Sequence, residues 1–402
     1  MKVSAWVNRT VVGIILATFL SDVSHEMCTA ILPLYLATLN LGPASLGVIE
    51  GLADFLVSLS KLAGGVVGHH VQRKRPLAAL GYLTTTLATG AIGLAAGLWT
   101  LVSLRGVAWT GRGFRGPLRD YLLADAVEPT HFGRAYGLER AGDMLGAVIG
   151  PLIAASLIWG GVDLHMVILW TLGPGMLAAA SFFFLTKERG ATPSPVAARP
   201  MAEALRSFPT AFWIFLLGVF LFGLGDFSRT FLVYIGAQHF GEAGLSGATT
   251  FSAAALLYMA HNLISAAVAY PIGHRGDHGN KLHILLWGYG LGVGTNLMLA
   301  LAAGSLMGLV GVVLLSGMYI AIEETLEKAV AAELLSRDSR SLGFGLLACA
   351  NAIGDLISSL YVGYFLEAKH PGVAFGLAAL CGGIGVLWLF RFRKVVQLNP
   401  CN

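Results

Sequence analysis

The sequence predicts an all-α membrane protein of about twelve transmembrane helices, arranged as two pseudo-symmetric bundles of six. Three observations predict this fold. Mean hydropathy is +0.73, and only 12% of the 402 residues are charged. About twelve apolar stretches are each long enough to cross a bilayer as a helix. Short patterns in the first half of the chain also recur in the second half at a nearly constant offset.

The apolar stretches give the elements in chain order. Each can satisfy its backbone hydrogen bonds internally as a helix, which a chain inside a bilayer requires. Alternating ten-residue segments separated by turns, typical of outer-membrane barrels, do not occur in the sequence. The predicted spans are residues 10–36, 45–68, 76–98, 99–125, 134–159, 162–186, 209–236, 247–272, 281–303, 305–332, 341–366 and 371–391.

A polar break with three prolines separates the first six spans from the last six. We therefore predict an N-terminal six-helix bundle over residues 1–186, a cytoplasmic linker over 187–208 and a C-terminal bundle over 209–402. The two bundles repeat one another. Leu20–His25 matches Leu224–Arg229 at an offset of 204, and Tyr136–Leu138 matches Phe344–Leu346 at an offset of 208. Parallel repeats of six spans predict a pseudo-two-fold axis along the membrane normal, with a binding site between the halves.

Basic residues lie in alternate loops and at the two tails, whereas the opposite loops hold almost none apart from Lys369. The positive-inside rule then places both termini in the cytoplasm and the protein in the cell inner (plasma) membrane. The net charge of +4 is not gathered into a patch that would bind nucleic acid. The expected partners are the lipid bilayer, a small-molecule substrate and protons. We expect a monomer without a cofactor.

Several motifs resemble those of the major facilitator superfamily over essentially the full length of the chain. The loop beginning at Gly65 resembles that family's G-x-x-x-D-R-x-G-R-K loop, but His69 replaces the acid and Gln72 the second glycine. The later copy, which begins at Gly273, keeps the acid as Asp277. The resemblance implies that this acid anchors a charge relay that holds one conformation. The first copy lacks the acid and therefore lacks the anchor of that relay.

Two further motifs and one longer run extend the resemblance. Arg105 and Gly111 are similar to the R-x-x-x-G-type motif of the family. Gly146–Pro151 resembles its antiporter motif, which implies export by exchange, although helix packing explains the same residues. The run Gly111–Asp120 resembles a poorly characterised prokaryotic subgroup, from which no substrate follows. The resemblance also implies that spans one, four, seven and ten line a central cavity.

Span one carries a cluster of ionisable groups near its middle. Asp22 and Glu26 are spaced i,i+4 and share one helical face, with His25 alongside. Repulsion between two carboxylates favours a proton on one of them, which suits proton coupling. Carboxylate and imidazole also suit a divalent metal. The third interpretation is a structural ion pair with Arg229 of span seven. Further candidates for proton coupling or substrate binding are Asp226 and Asp355.

Span four carries four arginines on one stripe: Arg105, Arg112, Arg115 and Arg119. A charge facing lipid costs about 2.5 to 3.5 kcal/mol even on the mildest insertion scale. The stripe therefore faces an anionic substrate, or acids on other helices neutralise it.

The repeat favours neutralisation by another helix, because equivalent positions carry opposite charges. A shift of 208 maps Arg115 to Glu323, Arg119 to Glu327 and Asp120 to Lys328. We hypothesise that Arg115 and Arg119 pair with Glu323 and Glu327 to close the cytoplasmic side. Asp22 or Glu26 would pair with Arg229 to close the outer side.

The remaining polar residues within spans have weaker roles. Glu50 and Asp54 are vestibule charges or a second proton site. His261, Asn262 and Asn351 are candidate polar contacts to substrate, although a polar residue in a span also forms hydrogen bonds between helices.

These features predict a secondary active transporter that is proton-coupled and moves a small polar or charged solute by alternating access, with efflux favoured. The sequence contains no G-x-x-x-x-G-K-[ST] loop, the motif that would indicate transport driven by ATP. It also contains no HExxH or GxSxG motif, either of which would indicate an enzyme. The first alternative is a transporter of divalent metal or of a siderophore-type chelate, with Asp22, His25 and Glu26 as ligands. A lipid flippase is the alternative from another class.

Overall fold

The computed structural model describes residues 6–41, 43–188, 201–227, 230–242, 244, 247–302 and 305–397. Within these ranges the chain forms fifteen α-helices and no β-strand. They are α1 (Arg9–Thr38), α2 (Pro43–His70), α3 (Lys74–Ala91), α4 (Leu98–Ala126), α5 (Phe132–Trp159), α6 (Leu164–Trp170), α7 (Leu172–Leu185), α8 (Met201–Arg206), α9 (Thr210–Gly223), α10 (Thr230–Glu242), α11 (Gly247–His278), α12 (Lys281–Ala302), α13 (Leu306–Leu334), α14 (Arg340–Glu367) and α15 (Pro371–Gln397).

Each of the twelve predicted spans corresponds to one helix or to a pair. Span six is divided into α6 and α7, and span seven into α9 and α10, whereas the equivalent α1 is continuous. Helix α11 ends at His278 instead of 272, and α15 ends at Gln397 instead of 391. The α11 extension is polar, and the α15 extension contains Arg393 and Lys394. Nine helices of the described ranges are long and apolar enough to cross a membrane.

The helices pack as two halves, α1–α7 and α9–α15. In the first half α1 packs on α5 and α7, and α4 packs on α2 and α3; in the second half α12 packs on α13 and α15. Contact between the halves is concentrated where α5 meets α11 and where α2 meets α14. Most of the linker predicted at 187–208 lies outside the described residues, so the domain boundaries stay a prediction.

The halves approach backbone to backbone at one end of the molecule. We call this the terminal end, because α1 begins there and α15 ends there. A Cβ added to Gly65 of α2 would lie 2.8 Å from the Cα of Gly345 of α14. A Cβ added to Gly273 of α11 would lie 2.0 Å from the carbonyl oxygen of Gly133 of α5. Only glycine permits such close approach, so the terminal end is closed at both contacts.

These two contacts are related by the repeat, since a shift of 208 maps Gly65 onto Gly273. The rings of Tyr136 and Phe344, also 208 residues apart, meet edge to face with centroids separated by 6.1 Å. A residue that contacts its own repeat equivalent lies close to the axis relating the two halves. The offset found in the sequence is therefore also the offset of the structural symmetry.

Asp277 adds a polar contact between the halves at the terminal end. Its carboxylate accepts hydrogen bonds from the backbone N–H groups of Gly133 (2.7 Å) and Arg134 (3.0 Å), at the start of α5. The Nε of Arg134 donates to the same carboxylate at 2.8 Å. A negative charge is favourable at a helix N-terminus. The equivalent His69 instead places its Nδ1 3.4 Å from the carbonyl oxygen of Asp338, so the first copy lacks the acidic cap.

Candidate substrate cavity

A cavity of about 280 Å³ lies between the two halves. Helices α2, α4 and α5 line it from the first half, and α13 and α14 from the second, together with Asp226 between α9 and α10. Most of its wall is ionisable. The ionisable lining residues are Lys61, Arg112, Arg115, Arg119, Asp120, Glu139, Arg140, Asp143, Asp226, Glu323, Glu324, Glu327, Lys328 and Asp355.

Three of the four arginines on the α4 stripe line this cavity, and Arg105 does not. Arg105 is buried inside the first half. Its Nη2 donates to the Oγ1 of Thr29 at 3.2 Å, and its guanidinium lies 5.3 Å from the ring centroid of Trp109. The stripe thus divides into one internal arginine and three that face the interior between the halves, as the cost of exposing guanidinium to lipid requires.

An ion network connects α1, α4 and α5 and reaches the second half. Arg112 pairs with Asp22 at 2.5 Å and lies 3.9 Å from Asp143. Arg140 pairs at 2.6 Å both with Asp143 and with Glu324 of α13. Asp22 is therefore held by a cation of its own half, and Arg140 joins the two halves.

A second group of charges lies nearer the terminal end, and we call it the floor cluster: Arg119, Asp120, Glu139 and Lys328. Arg119 lies 2.8 Å from both Asp120 and Glu139. Lys328 of α13 lies 3.7 Å from each of the same two carboxylates. Two acids of the first half thus hold one cation of their own half and one cation of the other.

The hypothesis that Arg115 and Arg119 pair with Glu323 and Glu327 is wrong in this closed arrangement. Glu139 of α5 lies beside α4 and takes the place expected for Glu327. Helix α13 is rotated so that Lys328 faces the first half. The predicted electrostatic closure between spans four and ten is present, but its second-half member is a lysine.

Arg115 has a different environment from the other arginines of the cavity. It is 3% exposed, its Nη2 donates to the Oγ of Ser21 at 2.7 Å, and its guanidinium lies 3.7 Å from the centroid of the Tyr82 ring. Its Nη1 has no hydrogen-bond partner, and no carboxylate lies within 4 Å, among the residues that the structure describes. A hydroxyl and an aromatic face stand where a counter-ion would be expected.

The wall opposite these arginines is acidic. Glu327 accepts hydrogen bonds from the hydroxyl of Tyr289 and, at 2.8 Å, from the Nδ2 of Asn351. The hydroxyl of Tyr319 donates to Asp226 at 2.7 Å. No basic group of the described ranges lies within 4 Å of Glu327. Neutral donors therefore hold this carboxylate.

Glu323 lies one helical turn from Glu327 and is 4% exposed. Its Oε2 has no hydrogen-bond partner in the described part of the chain, and no cation there lies within 4 Å. Arg115 and Glu323 are thus two buried, oppositely charged side chains of one cavity, each lacking a counter-ion among the described residues.

The span-one cluster lies behind the cavity wall. Asp22 and His25 are buried, and the His25 ring packs edge-on against Trp109 with centroids 4.8 Å apart. None of Asp22, His25 and Glu26 lines the cavity. In the described ranges, no three His, Cys, Asp or Glu side chains are arranged to hold a metal ion. The metal interpretation of this cluster is therefore not supported, because its side chains do not converge on one point.

The predicted polar contacts divide into two groups. Asn351 and Asp355 line the cavity. His261 and Asn262 are buried and do not line it. His261 instead bonds through Nδ1 to the Oγ of Ser316 of α13 at 2.8 Å, which is the hydrogen bond between helices that polar residues in spans commonly make.

Three predicted site residues cannot be placed. Arg229 lies outside the described residues, and so do the side chains of Glu50 and Asp54. The proposed pairing of Asp22 or Glu26 with Arg229 stays a prediction for that reason.

The antiporter-like motif packs α5 on α1 beside the span-one cluster. A Cβ added to Gly146 would lie 2.6 Å from the carbonyl oxygen of Phe19, and one added to Gly150 would lie 2.7 Å from that of Val23. Both glycines are thus needed for close helix contact. Helix packing, one of the two interpretations of the motif, is present in the structure.

Site residues that sequence reasoning did not single out include Trp109, Tyr289, Tyr319 and Glu324. Aromatic residues are common in apolar spans, so nothing distinguished the first three. Glu324 could have been found, since it forms an acidic pair with Glu323 within a span.

Comparison with known proteins agrees with this architecture. A family model described as Major Facilitator Superfamily matches residues 14–264. An uncharacterised MFS-type transporter of Methanocaldococcus jannaschii is 25% identical over 375 residues, which cover 93% of this chain and 92% of that protein. An uncharacterised protein of Mycobacterium tuberculosis is 26% identical over 358 residues, which cover 86% of this chain and 83% of that protein.

Solved structures share the fold. The Escherichia coli fucose:proton symporter FucP superposes with a TM-score of 0.76 at 14% identity, covering 95% of this chain and 98% of FucP. The human organic anion transporter MFSD10 gives a TM-score of 0.74 at 15% identity, covering 95% and 99%. Since the family model matches more than half of the chain, the protein belongs to the major facilitator superfamily of multi-pass membrane transporters.

Proposed function

We propose that this protein is a proton-coupled secondary transporter that moves a small polar or charged solute by alternating access, with efflux as the favoured direction. One observation carries the proposal: the space between the two halves is walled by charges of both signs. Charged groups at membrane depth mark substrate and ion pathways. A purely apolar solute would gain little from such a wall.

Alternating access requires contacts that differ between two states. Polar contacts of this kind join the halves towards the terminal end: Arg140 with Glu324, Lys328 with the floor cluster, and Asp277 with the start of α5. Opening the cavity at the terminal end must part all of them, together with the glycine contacts. Ion pairs that water can replace after separation are suited to such a reversible closure.

Proton coupling is supported by the pair Glu323 and Glu327. Two carboxylates one turn apart, without a described basic group within 4 Å, repel one another strongly in a low-dielectric wall. A proton on one of them removes that repulsion. The proposal thus moves the proton site from span one, where Asp22 is already paired with Arg112, to α13. FucP and XylE, which share the fold, are described as proton symporters.

Direction and location rest on the sequence. The resemblance of Gly146–Pro151 to the antiporter motif favours efflux, although FucP, which shares the fold, is described as a symporter. The alternating basic loops support a cytoplasmic location of the terminal end and an inner-membrane location of the protein. The division at residues 187–208 is proposed on the same grounds.

The test uses purified protein in liposomes that contain a pH-sensitive dye, under an imposed pH gradient. Charged metabolites, siderophores, drugs and divalent ions are added one at a time. We expect at least one solute to cause proton flux, and we expect Glu323→Gln and Glu327→Gln each to reduce that flux at least tenfold. Glu242→Gln, on an exposed residue of α10, is the matched control.

Two results would contradict the proposal. Solute movement without any proton flux would exclude proton coupling. Unchanged coupled flux in both α13 variants would exclude α13 as the proton site. Span one would then be the next candidate, to be tested with Asp22→Asn and Glu26→Gln.

A further inference from the structure

We infer that the cavity recognises a zwitterionic solute, whose anionic group binds Arg115 and whose cationic group binds Glu323. The inference rests on the proposed function, because it names the substrate class of the same cavity. It follows from the two charges of the wall that lack counter-ions and from where the repeat places them.

Arg115 has the geometry of an anion receptor. Ser21 and Tyr82 fix one edge and one face of its guanidinium, at 2.7 Å and 3.7 Å. The buried Nη1 has no hydrogen-bond partner in the described structure. A buried guanidinium without a counter-ion is costly, and a carboxylate that binds in bidentate fashion supplies both the charge and the acceptor.

Glu323 is the complementary cation receptor. Its side chain is buried, its Oε2 has no partner, and the described side chains that approach its part of the wall are acids or neutral donors. Glu327, one turn away and held by neutral donors, makes this region attractive to a cation. An ammonium group there would neutralise charge and donate the missing hydrogen bonds.

The two receptors occupy equivalent positions of the repeat, 208 residues apart. Asp120 and Lys328, also equivalent, approach to 3.7 Å across the floor of the cavity. Arg115 and Glu323 each precede that pair by five residues, which is about 7.5 Å along a helix with a rise of 1.5 Å per residue. They therefore lie at one level of the cavity, on walls related by the pseudo-two-fold axis.

This arrangement selects against solutes with a single charge. A solute with only an anionic group would neutralise Arg115 and leave Glu323 without a counter-ion. A solute with only a cationic group would neutralise Glu323 and leave Arg115 without one. A volume of about 280 Å³ is at the small end of ligand cavities, which favours a small metabolite over a lipid. A small molecule with separated anionic and cationic groups satisfies both walls at once.

The experiment measures binding to purified full-length protein in detergent, so that it does not depend on transport. The probes are sets on one scaffold: an amino acid, its N-acetyl derivative (anion only) and its methyl ester (cation only). The sets run from glycine to phenylalanine, and glycine betaine and carnitine are added. We expect at least one zwitterion to bind at least tenfold more tightly than both of its derivatives.

Two substitutions assign the ends of the solute. In Arg115→Gln, the affinity for the zwitterion is expected to fall to the affinity of the wild-type protein for the methyl ester. In Glu323→Gln, it is expected to fall to the affinity of the wild-type protein for the N-acetyl derivative. Arg115→Lys, which keeps the charge and loses the bidentate geometry, is expected to lie between. Arg391→Gln and Glu242→Gln, on exposed residues away from the cavity, control for loss of each charge.

The inference is overturned if a singly charged derivative binds as tightly as its zwitterion, if the variants leave the preference unchanged, or if no member of the panel binds. Where Arg115→Gln does not yield monodisperse protein, the wild-type ranking of derivatives together with Arg115→Lys decides. Zwitterion binding without proton flux would leave the inference standing and refute the proposed coupling. Proton-coupled transport of singly charged solutes, without transport of any zwitterion, would support the proposed coupling and refute the inference.

Discussion

Neutralising Lys328 should favour opening of the terminal end, because this lysine joins α13 to two acids of the other half. At 3.7 Å and an effective dielectric constant of about 20, one such charge pair is worth about 4 kcal/mol. Two factors reduce that figure: Arg119 already shares both carboxylates, and the Lys328 side chain is 21% exposed. Lys328→Gln should therefore cost the closed state about 2 to 3 kcal/mol, roughly a 30- to 150-fold change in the ratio of closed to open molecules.

Distance measurement between spin labels at residues 72 and 278 provides the assay. Both side chains are exposed at the terminal end, one on each half. The four native cysteines are replaced first. We expect a second, longer distance in Lys328→Gln whose population exceeds that in the parent protein.

A double-mutant cycle with Asp120→Asn isolates the interaction between the two residues. If the pair stabilises the closed state, the double variant should be shifted less than the sum of the single shifts, by about 1 to 2 kcal/mol. Additive shifts, or distances that do not change in Lys328→Gln, would refute the assignment of the floor cluster as a closure.

Three further predictions follow from the same end of the molecule. Gly273→Val should abolish closure and transport, because its Cβ would lie 2.0 Å from the carbonyl oxygen of Gly133. Gly290→Ala is the control, since open space surrounds that position, and it should leave the spin-label distances unchanged. Asp277→Asn should lower stability by about 2 kcal/mol, through loss of the charged cap on α5 and of the pair with Arg134, and the melting temperature should fall by a few degrees; an unchanged melting curve would exclude that role. Reporter fusions at both chain ends should be active only on the cytoplasmic side, and a periplasmic signal from either end would reverse the assigned orientation.

The helices could be predicted from the sequence because apolar length alone defines them. Each predicted stretch corresponds to one helix or to a pair, and the ends differ by several residues at α3, which stops at Ala91, and at α10, α11 and α15, which continue past the predicted end. The repeat offset could also be predicted, because Tyr136 and Phe344 keep the same pattern and meet in the structure. The break between α9 and α10 was not predicted, although Gly223, Gly225 and Asp226 interrupt the apolar pattern of span seven at that point.

The pairing of charges could not be predicted, because it depends on how each helix is rotated about its axis and on which helix lies between two others. Sequence spacing placed Arg119 and Glu327 at equivalent depths but did not show that Glu139 of α5 lies closer to Arg119. The resemblance implied that span one lines the cavity, whereas its Asp22 lies behind the wall and is held by Arg112. Depth follows from position along a helix, but partners follow from packing.

The duplicated fold accounts for both the closure and the charged walls by one physical rule. Near the axis, a residue must lie beside its own repeat equivalent, so like charges there would repel and opposite charges attract. Asp120 and Lys328 have diverged to opposite charges, and they approach to 3.7 Å. Farther along the same two helices, Arg115 and Glu323 have diverged in the same way but find no counter-ion among the described residues. An identical pair of repeats could form neither a stabilising floor nor two walls of opposite sign, so the proposed selectivity of the cavity depends on the divergence in charge between α4 and α13.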